Sequence, residues 1–238
     1  MAGLFGKLPI RGDFLTRRLP PPFVERWDDW LQTALSESRR RLDDEWLDCY
    51  LVAPLWRFAM LPGTIDARAY AGVLVPSVDR VGRYFPLTLA AEVPALPAAC
   101  EVFTDWRGWF DALENLALKA LAPDLDFDPF DAALAALGPP TVDLAVGAAV
   151  STSDPSAGGC VALSAPAGLT EETSRRAWKK ILDELPVAAG LWESGHSDWW
   201  GQMYLACAGF PSPACFTALL DGLWEHHGWE LRIPESLS

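Results

Sequence analysis

Between Val75 and Leu89 the chain reads VPSVDRVGRYFPLTL, and this run restricts the fold more than any other stretch. Pro76 and Pro86 bracket it. Each fixes φ and removes a backbone donor, so neither sits comfortably inside a central strand. Ser77 and Asp79 can bond forward to nearby backbone N–H groups and lock a turn, and Gly82 permits a positive φ. The flanks turn apolar, with Tyr70, Gly72, Val73, Leu74 and Val75 before and Leu87, Thr88, Leu89 and Ala90 after. The pattern predicts two β-strands joined by a long, ordered connection. That connection carries Arg80, Arg83, Tyr84 and Phe85. Arginines and aromatics on a structured loop are a candidate contact surface. A purely structural reading stands beside it: Asp79 pairs with Arg80 or Arg83 to stiffen a hairpin, and Tyr84 and Phe85 belong to the core.

The chain has 238 residues, half of them hydrophobic, and twelve tryptophans. That suffices for a sizeable core without metals or disulfides, one resting on large rings. The formal net charge of −13 disfavours nucleic acid, whose phosphates would be repelled. It equally disfavours an anionic membrane surface, and it suits basic or mixed-charge protein partners. Cys49, Cys100, Cys160, Cys207 and Cys215 are scattered, odd in number and without CxxC spacing, so they read as reduced thiols. The start, MAGLFGKLPIRGDF, has no export-signal pattern, and no apolar run is long enough to span a bilayer. A cytoplasmic location without membrane insertion is expected.

Taken in order, Ala2 to Leu8 reads as a strand, followed by a turn at Pro9, Gly12 and Asp13. Pro20 to Pro22 precede a helix whose apolar positions Phe23, Trp27, Trp30, Leu31, Leu35 and Leu42 follow the 3.6-residue period. A short helix with Trp46, Leu47 and Tyr50 follows, then strands over Leu55–Leu61, Tyr70–Val75 and Leu87–Ala91. Thr104 is placed to cap a helix from Asp105 to Leu121. A short helix is expected from Phe130 to Leu137, ending at Gly138-Pro139-Pro140. Strands over 142–150 and 160–164 flank a polar loop at 151–159. Thr170 caps a helix through Leu185, two strands occupy 190–193 and 202–207, and Pro211 opens a last helix to Trp224. There is no internal repeat. The Gly138–Pro140 break marks two lobes, 1–137 and 138–238, of one domain.

Several apparent motifs fail on their own chemistry. Gly3-Leu4-Phe5-Gly6-Lys7 lacks the spacer and the Ser/Thr of a phosphate loop. Arg11-Gly12-Asp13 is a turn whose charged side chains are expected to be exposed. His196, His226 and His227 are the only histidines, and Glu193 and His196 sit on a strand–loop junction that does not align two ligands, so no metal site is expected. Asp124, Asp126, Asp128 and Asp131 lack the order and the closing Glu of a calcium loop. A hydrolase would have to use Ser77 or Ser194 with His196, and no G-x-S-x-G elbow supports one.

Phe5-Gly6-Lys7-Leu8-Pro9, Gly12-Asp13-Phe14 and Arg17 resemble the start of the TagF/ImpM family of type VI secretion accessory proteins. The resemblance continues through Phe23, Trp27, Asp28, Trp30, Leu31, Trp46, Tyr50, Trp56-Arg57-Phe58 and Pro62-Gly63. It peaks at Gly72-Val73-Leu74 and at Pro76 to Leu87. Further on, Trp199-Trp200 is similar to a late family segment in which Ser197-Asp198 replaces Ser–Leu, and Gly209-Phe210-Pro211 fits as well. The resemblance implies an α/β fold: a three-layer α/β/α sandwich around a mixed, largely antiparallel sheet. It also implies a post-translational repressor of type VI secretion, acting through the system's forkhead-associated (Fha) protein beside a kinase/phosphatase pair. It brings no catalytic residues and no cofactor. The expected partner contacts therefore lie on the Lys7–Asp13 turn and the Pro76–Pro86 loop: Lys7, Arg11, Asp13, Ser77, Asp79, Arg80, Arg83 and Tyr84. The alternatives are a hydrolase-like enzyme using Ser77 or His196, and a structural scaffold component of the secretion machine.

Overall fold

Successive strand residues point to opposite sides of a sheet, and every residue of β4 (Ala69–Val75) is buried. Tyr70 and Leu74 enter one apolar cluster, while Ala69, Ala71, Val73 and Val75 enter another. In β3 (Trp56–Met60), Trp56, Phe58 and Met60 take the first side and Ala59 the second. In β5 (Leu87–Val93), Ala90 takes the first and Leu87, Leu89, Ala91 and Val93 the second. A sheet buried on both faces needs a helical layer on each. The computed structural model has this form; it describes residues 1–94, 97–141, 159–165, 170–185, 188–194 and 201–232.

The remaining strands are β1 (Gly3–Gly6), β2 (Leu15–Arg17), β6 (Cys160–Ala165), β7 (Gly190–Ser194), β8 (Gln202–Cys207) and β9 (Glu230–Arg232). Among the described residues they form one sheet in the order β2-β1-β5-β4-β3-β7-β8-β6-β9. Each neighbouring pair is antiparallel except β6–β9, which is parallel. The mixed, largely antiparallel α/β/α sandwich is thus the observed architecture. Helices α1 (Pro21–Leu42), α2 (Trp46–Val52) and α7 (Pro213–Asp221) cover the first face. Helices α3 (Val102–Asp105), α4 (Arg107–Ala120), α5 (Phe127–Leu137) and α6 (Glu171–Glu184) cover the second.

The first face carries the aromatic core. Phe23, Trp27, Trp30, Leu31 and Leu35 of α1 are buried as their spacing requires. The Trp27 ring lies 4.5 Å from Phe58, 5.2 Å from Phe23 and 6.0 Å from Trp192 of β7. Its Nε1–H donates to Thr88 Oγ1 at 2.8 Å, which gives the one polar atom of this ring a partner beneath the helix. Trp56 and Trp106 are also buried; Trp109 is half-buried and donates to the Gly138 carbonyl at 3.0 Å. The five cysteines are free thiols.

The structure departs from the sequence reading at several element ends. Thr104 does not cap the long helix. It lies within α3, its hydroxyl donates to the Glu101 carbonyl at 2.9 Å, and the chain breaks at Trp106 (φ −101°, ψ 16°) before α4 begins. The helix expected from Phe130 starts at Phe127. The last helix opens at Pro213 rather than Pro211, because Ser212 accepts the Cys215 N–H at 3.1 Å and so supplies the cap. Leu47 of α2 is exposed. Strands β2 and β9, three residues each, were not anticipated. The strand expected over 142–150, nearly all of the polar loop after it, and His196, Trp199 and Trp200 lie outside the described residues.

Thr88→Val removes one oxygen without changing shape and leaves the Trp27 N–H buried without an acceptor. The expected loss is about 1–3 kcal/mol of unfolding free energy, read as a lowered urea midpoint at unchanged slope.

Candidate functional site: two loops held on a buried carboxylate

Pro76 and Pro86 close the connection between β4 and β5, and inside it Val78 and Tyr84 form a single antiparallel bridge. The Asp79 N–H donates to the Arg83 carbonyl at 3.0 Å and the Gly82 N–H returns to the Asp79 carbonyl at 3.0 Å. Gly82 has φ +85°, which side-chain-bearing residues rarely adopt, so the reversal between Asp79 and Arg83 needs glycine there.

The centre of this turn is the Asp79 carboxylate, 3% exposed. Oδ1 accepts the backbone N–H groups of Val81 at 3.0 Å and Arg83 at 2.9 Å. Oδ2 accepts Lys7 Nζ at 2.8 Å and Arg83 Nε at 2.7 Å. Burial alone would raise the carboxyl pKa, but the Lys7 bond, the two N–H groups and the Arg83 guanidinium outweigh it and hold the group well below the usual carboxylate range.

Through Lys7 the carboxylate reaches the N-terminal turn. Ser77 Oγ donates to the Lys7 carbonyl at 2.8 Å, the Arg80 N–H donates to the Arg11 carbonyl at 2.9 Å, and the Arg83 guanidinium donates to the Gly12 carbonyl. Tyr50 of α2 closes the back: its hydroxyl donates to the Ser77 carbonyl at 2.9 Å and accepts the Ser77 N–H at 3.0 Å. Burial pushes this phenol pKa up, so it keeps its proton. Gly6, at φ +131°, ends β1 against the Pro86 carbonyl, where a Cβ would collide.

The residues expected to meet a partner therefore divide by depth. Lys7, Ser77 and Asp79 are interior. Tyr84 is half-buried against Trp46 and Tyr50, with ring centroids 6.0 and 5.8 Å apart. Arg11, Asp13, Arg80 and Arg83 are exposed and lie on the two adjoining segments that the interior group ties together. Phe14, Arg17 and Phe127 belong to the same surface and were missed by the sequence reading. The Arg11 and Arg17 guanidiniums stand 5.6 and 5.7 Å from the Phe127 ring centroid. Phe127 is 110 residues beyond Arg17, and no local spacing could have joined them.

As a nucleophile Ser77 is poorly placed. It is 5% exposed and its hydroxyl is committed to a backbone carbonyl. Ser194 Oγ accepts the Met203 N–H at 3.0 Å. His227 Nε2 lies 2.7 Å from Asp221 Oδ2, in a pair bridging α7 and the turn after it. Among the described residues no group of His, Cys, Asp and Glu could hold a metal ion, and no helix is long and apolar enough to cross a membrane.

Residues 3–137 match the TagF N-terminal domain family, type VI secretion system-associated. This chain belongs to the TagF family. The crystal structure of PA0076 from Pseudomonas aeruginosa PAO1 is similar to it, with a TM-score of 0.69 and 33% identity over 93% of this chain and 94% of that one. No curated protein matches. The TagF segment contains every residue of the surface just described, from Lys7 to Phe127.

Asp79→Asn keeps the shape but removes the charge that Lys7 and Arg83 share, whereas Arg83→Ala trims a side chain that is 59% exposed. Asp79→Asn is expected to lower the thermal midpoint by more than Arg83→Ala, which gives up one hydrogen bond to the buried carboxylate but leaves it Lys7 and the two backbone N–H groups. Because the folded carboxyl pKa is depressed, its stabilisation is complete above the unfolded value of about 3.9 and is lost as pH falls toward the folded one. Midpoints measured across acid pH should therefore fall below about pH 4 more steeply in the wild type than in Asp79→Asn.

Proposed function

We propose that this TagF-family chain is a non-enzymatic cytosolic regulator, a post-translational repressor of type VI secretion that works by binding the forkhead-associated component. The observation carrying this reading is the depth ordering around Asp79. A buried carboxylate holds two loops in one rigid frame, and the frame presents Arg11, Asp13, Arg80 and Arg83 to solvent. Arginine is enriched where partners dock, and a preorganised loop loses little entropy on binding. The polar groups behind the surface are satisfied by one another, with Ser77 donating to a carbonyl and Lys7 bonded to Asp79. That arrangement suits a contact face better than a reaction centre. Family membership supplies the link to type VI secretion.

The test is capture of the forkhead-associated protein by the tagged chain, with Arg80→Ala/Arg83→Ala as the variant. Capture should drop while the fold survives, with the midpoint lowered by several degrees for the hydrogen bond to the buried carboxylate that Arg83 gives up. In cells, raised levels of the wild type should suppress effector secretion without changing component abundance, and the double variant should restore it. Undiminished capture by a folded double variant would move the contact elsewhere.

A further inference from the structure

Three arginines border one open cleft of about 440 Å³ on a molecule whose formal net charge is −13. Arg11, Arg17 and Arg80 line it together with Asp13 and Phe14. Arg18, Arg57, Arg68 and Arg83 each have a carboxylate partner. Among the described residues the three cleft arginines have none, and the Arg11 and Arg80 side chains donate no hydrogen bond there. Asp131 feels the Arg17 charge, but both its oxygens are taken by Arg18 at 3.0 and 2.6 Å.

Arg11 and Arg17 also share the Phe127 ring, which brings two like charges to one aromatic. Cation–π attraction holds each of them, and an anion between them would relieve their repulsion. The surrounding backbone is fixed by the bonds from Arg80 to Arg11 and from Arg83 to Gly12. Phe14 is 49% exposed yet anchored edge-on to Phe85 at 4.7 Å, giving the cleft an apolar wall.

We propose that this cleft binds the phosphate of a phosphorylated side chain on a protein partner. The inference rests on the partner-binding reading above and adds the chemistry of the partner's side. Three guanidiniums against one lining carboxylate leave a formal excess of two positive charges. A phosphomonoester brings about −1.5 to −2 at pH 7 and three acceptor oxygens for planar forks, whereas an Asp or Glu would leave one charge unmatched. The Phe14 wall takes the residues beside the phosphate. A polynucleotide would carry many more phosphates beyond the cleft onto an acidic surface that repels them.

The test is calorimetric titration of the whole chain at low ionic strength with a pentapeptide bearing a central phosphoserine. Its glutamate and serine versions and inorganic phosphate serve as comparison. The phosphoserine peptide is expected to bind at least tenfold tighter than the glutamate peptide, and the serine peptide not at all. Arg11→Ala/Arg17→Ala should weaken phosphopeptide binding by roughly tenfold or more per arginine while its circular dichroism and thermal midpoint stay near wild type. Equal affinity for the glutamate peptide, undiminished binding by the folded double variant, or absence of binding would overturn the proposal. Inorganic phosphate binding as tightly as the peptide would assign the cleft to the free ion and overturn it too. Because these titrations need no partner protein, they decide the cleft whatever becomes of the partner reading. Capture of the forkhead-associated protein equally before and after phosphatase treatment would sink the phosphate assignment alone, and loss of capture in both states would sink the partner reading alone.

Discussion

The Asp79 carboxylate is the constraint on which the functional surface depends. Four donors converge on its two oxygens, and they come from three residues: Lys7, Val81 and Arg83, the last through both its backbone and its side chain. A charge removed from water is costly unless it is fully bonded, so the group enforces the conformation that supplies those donors. The Lys7–Asp13 turn and the loop after β4 cannot be positioned independently. Proline at both ends keeps the loop out of the sheet, and the aromatic pair Tyr50 and Tyr84 backs it from the helical side.

A second polar group lies on the opposite face, at the middle of the sheet. Arg57 of β3 sits directly across from Glu193 of β7. Its Nε donates to Glu114 and a terminal nitrogen to Asp111, both of α4 and both at 2.6 Å. Glu193 accepts Gln202 Nε2 at 2.7 Å and Trp178 Nε1 at 3.4 Å. Burial raises its carboxyl pKa and outweighs the attraction of Arg57. The two clusters differ in kind. The one at Asp79 opens onto exposed arginines, whereas the one at Glu193 runs from the buried strand pair through Arg57 to α4, where it reaches the surface at Asp111.

What could be read from sequence follows from how local each signal is. Helix α1, the β4–β5 pair and its proline-bounded loop announce themselves through periodicity and turn residues within a dozen positions. The Thr170 cap is similarly local and is present, with Oγ1 accepting the Thr173 N–H at 3.2 Å. Strands β2 and β9 carry three residues each and depend on neighbours far away in sequence for their pairing. The burial of Lys7 and Ser77 depends on Asp79 and Tyr50, which no spacing rule connects to them. Arg17 reaches the cleft because β2 folds back on β1 in the register Gly6↔Leu15, and Phe127 because Arg18 ties α5 to that hairpin.

The pairing of β3 with β7 bears on how such a chain can be handled. The family match ends at residue 137, but Trp56–Met60 forms backbone hydrogen bonds with Gly190–Ser194, and Trp192 stacks on Trp27. Expressed alone, the N-terminal portion would present β3 as a bare hydrophobic edge, a template for strand addition by other chains. It would also open the indole stack under α1 to water. The diagnostic stretch and the cooperative unit have different limits, and fragments cut at the former are expected to assemble through the vacated position of β7.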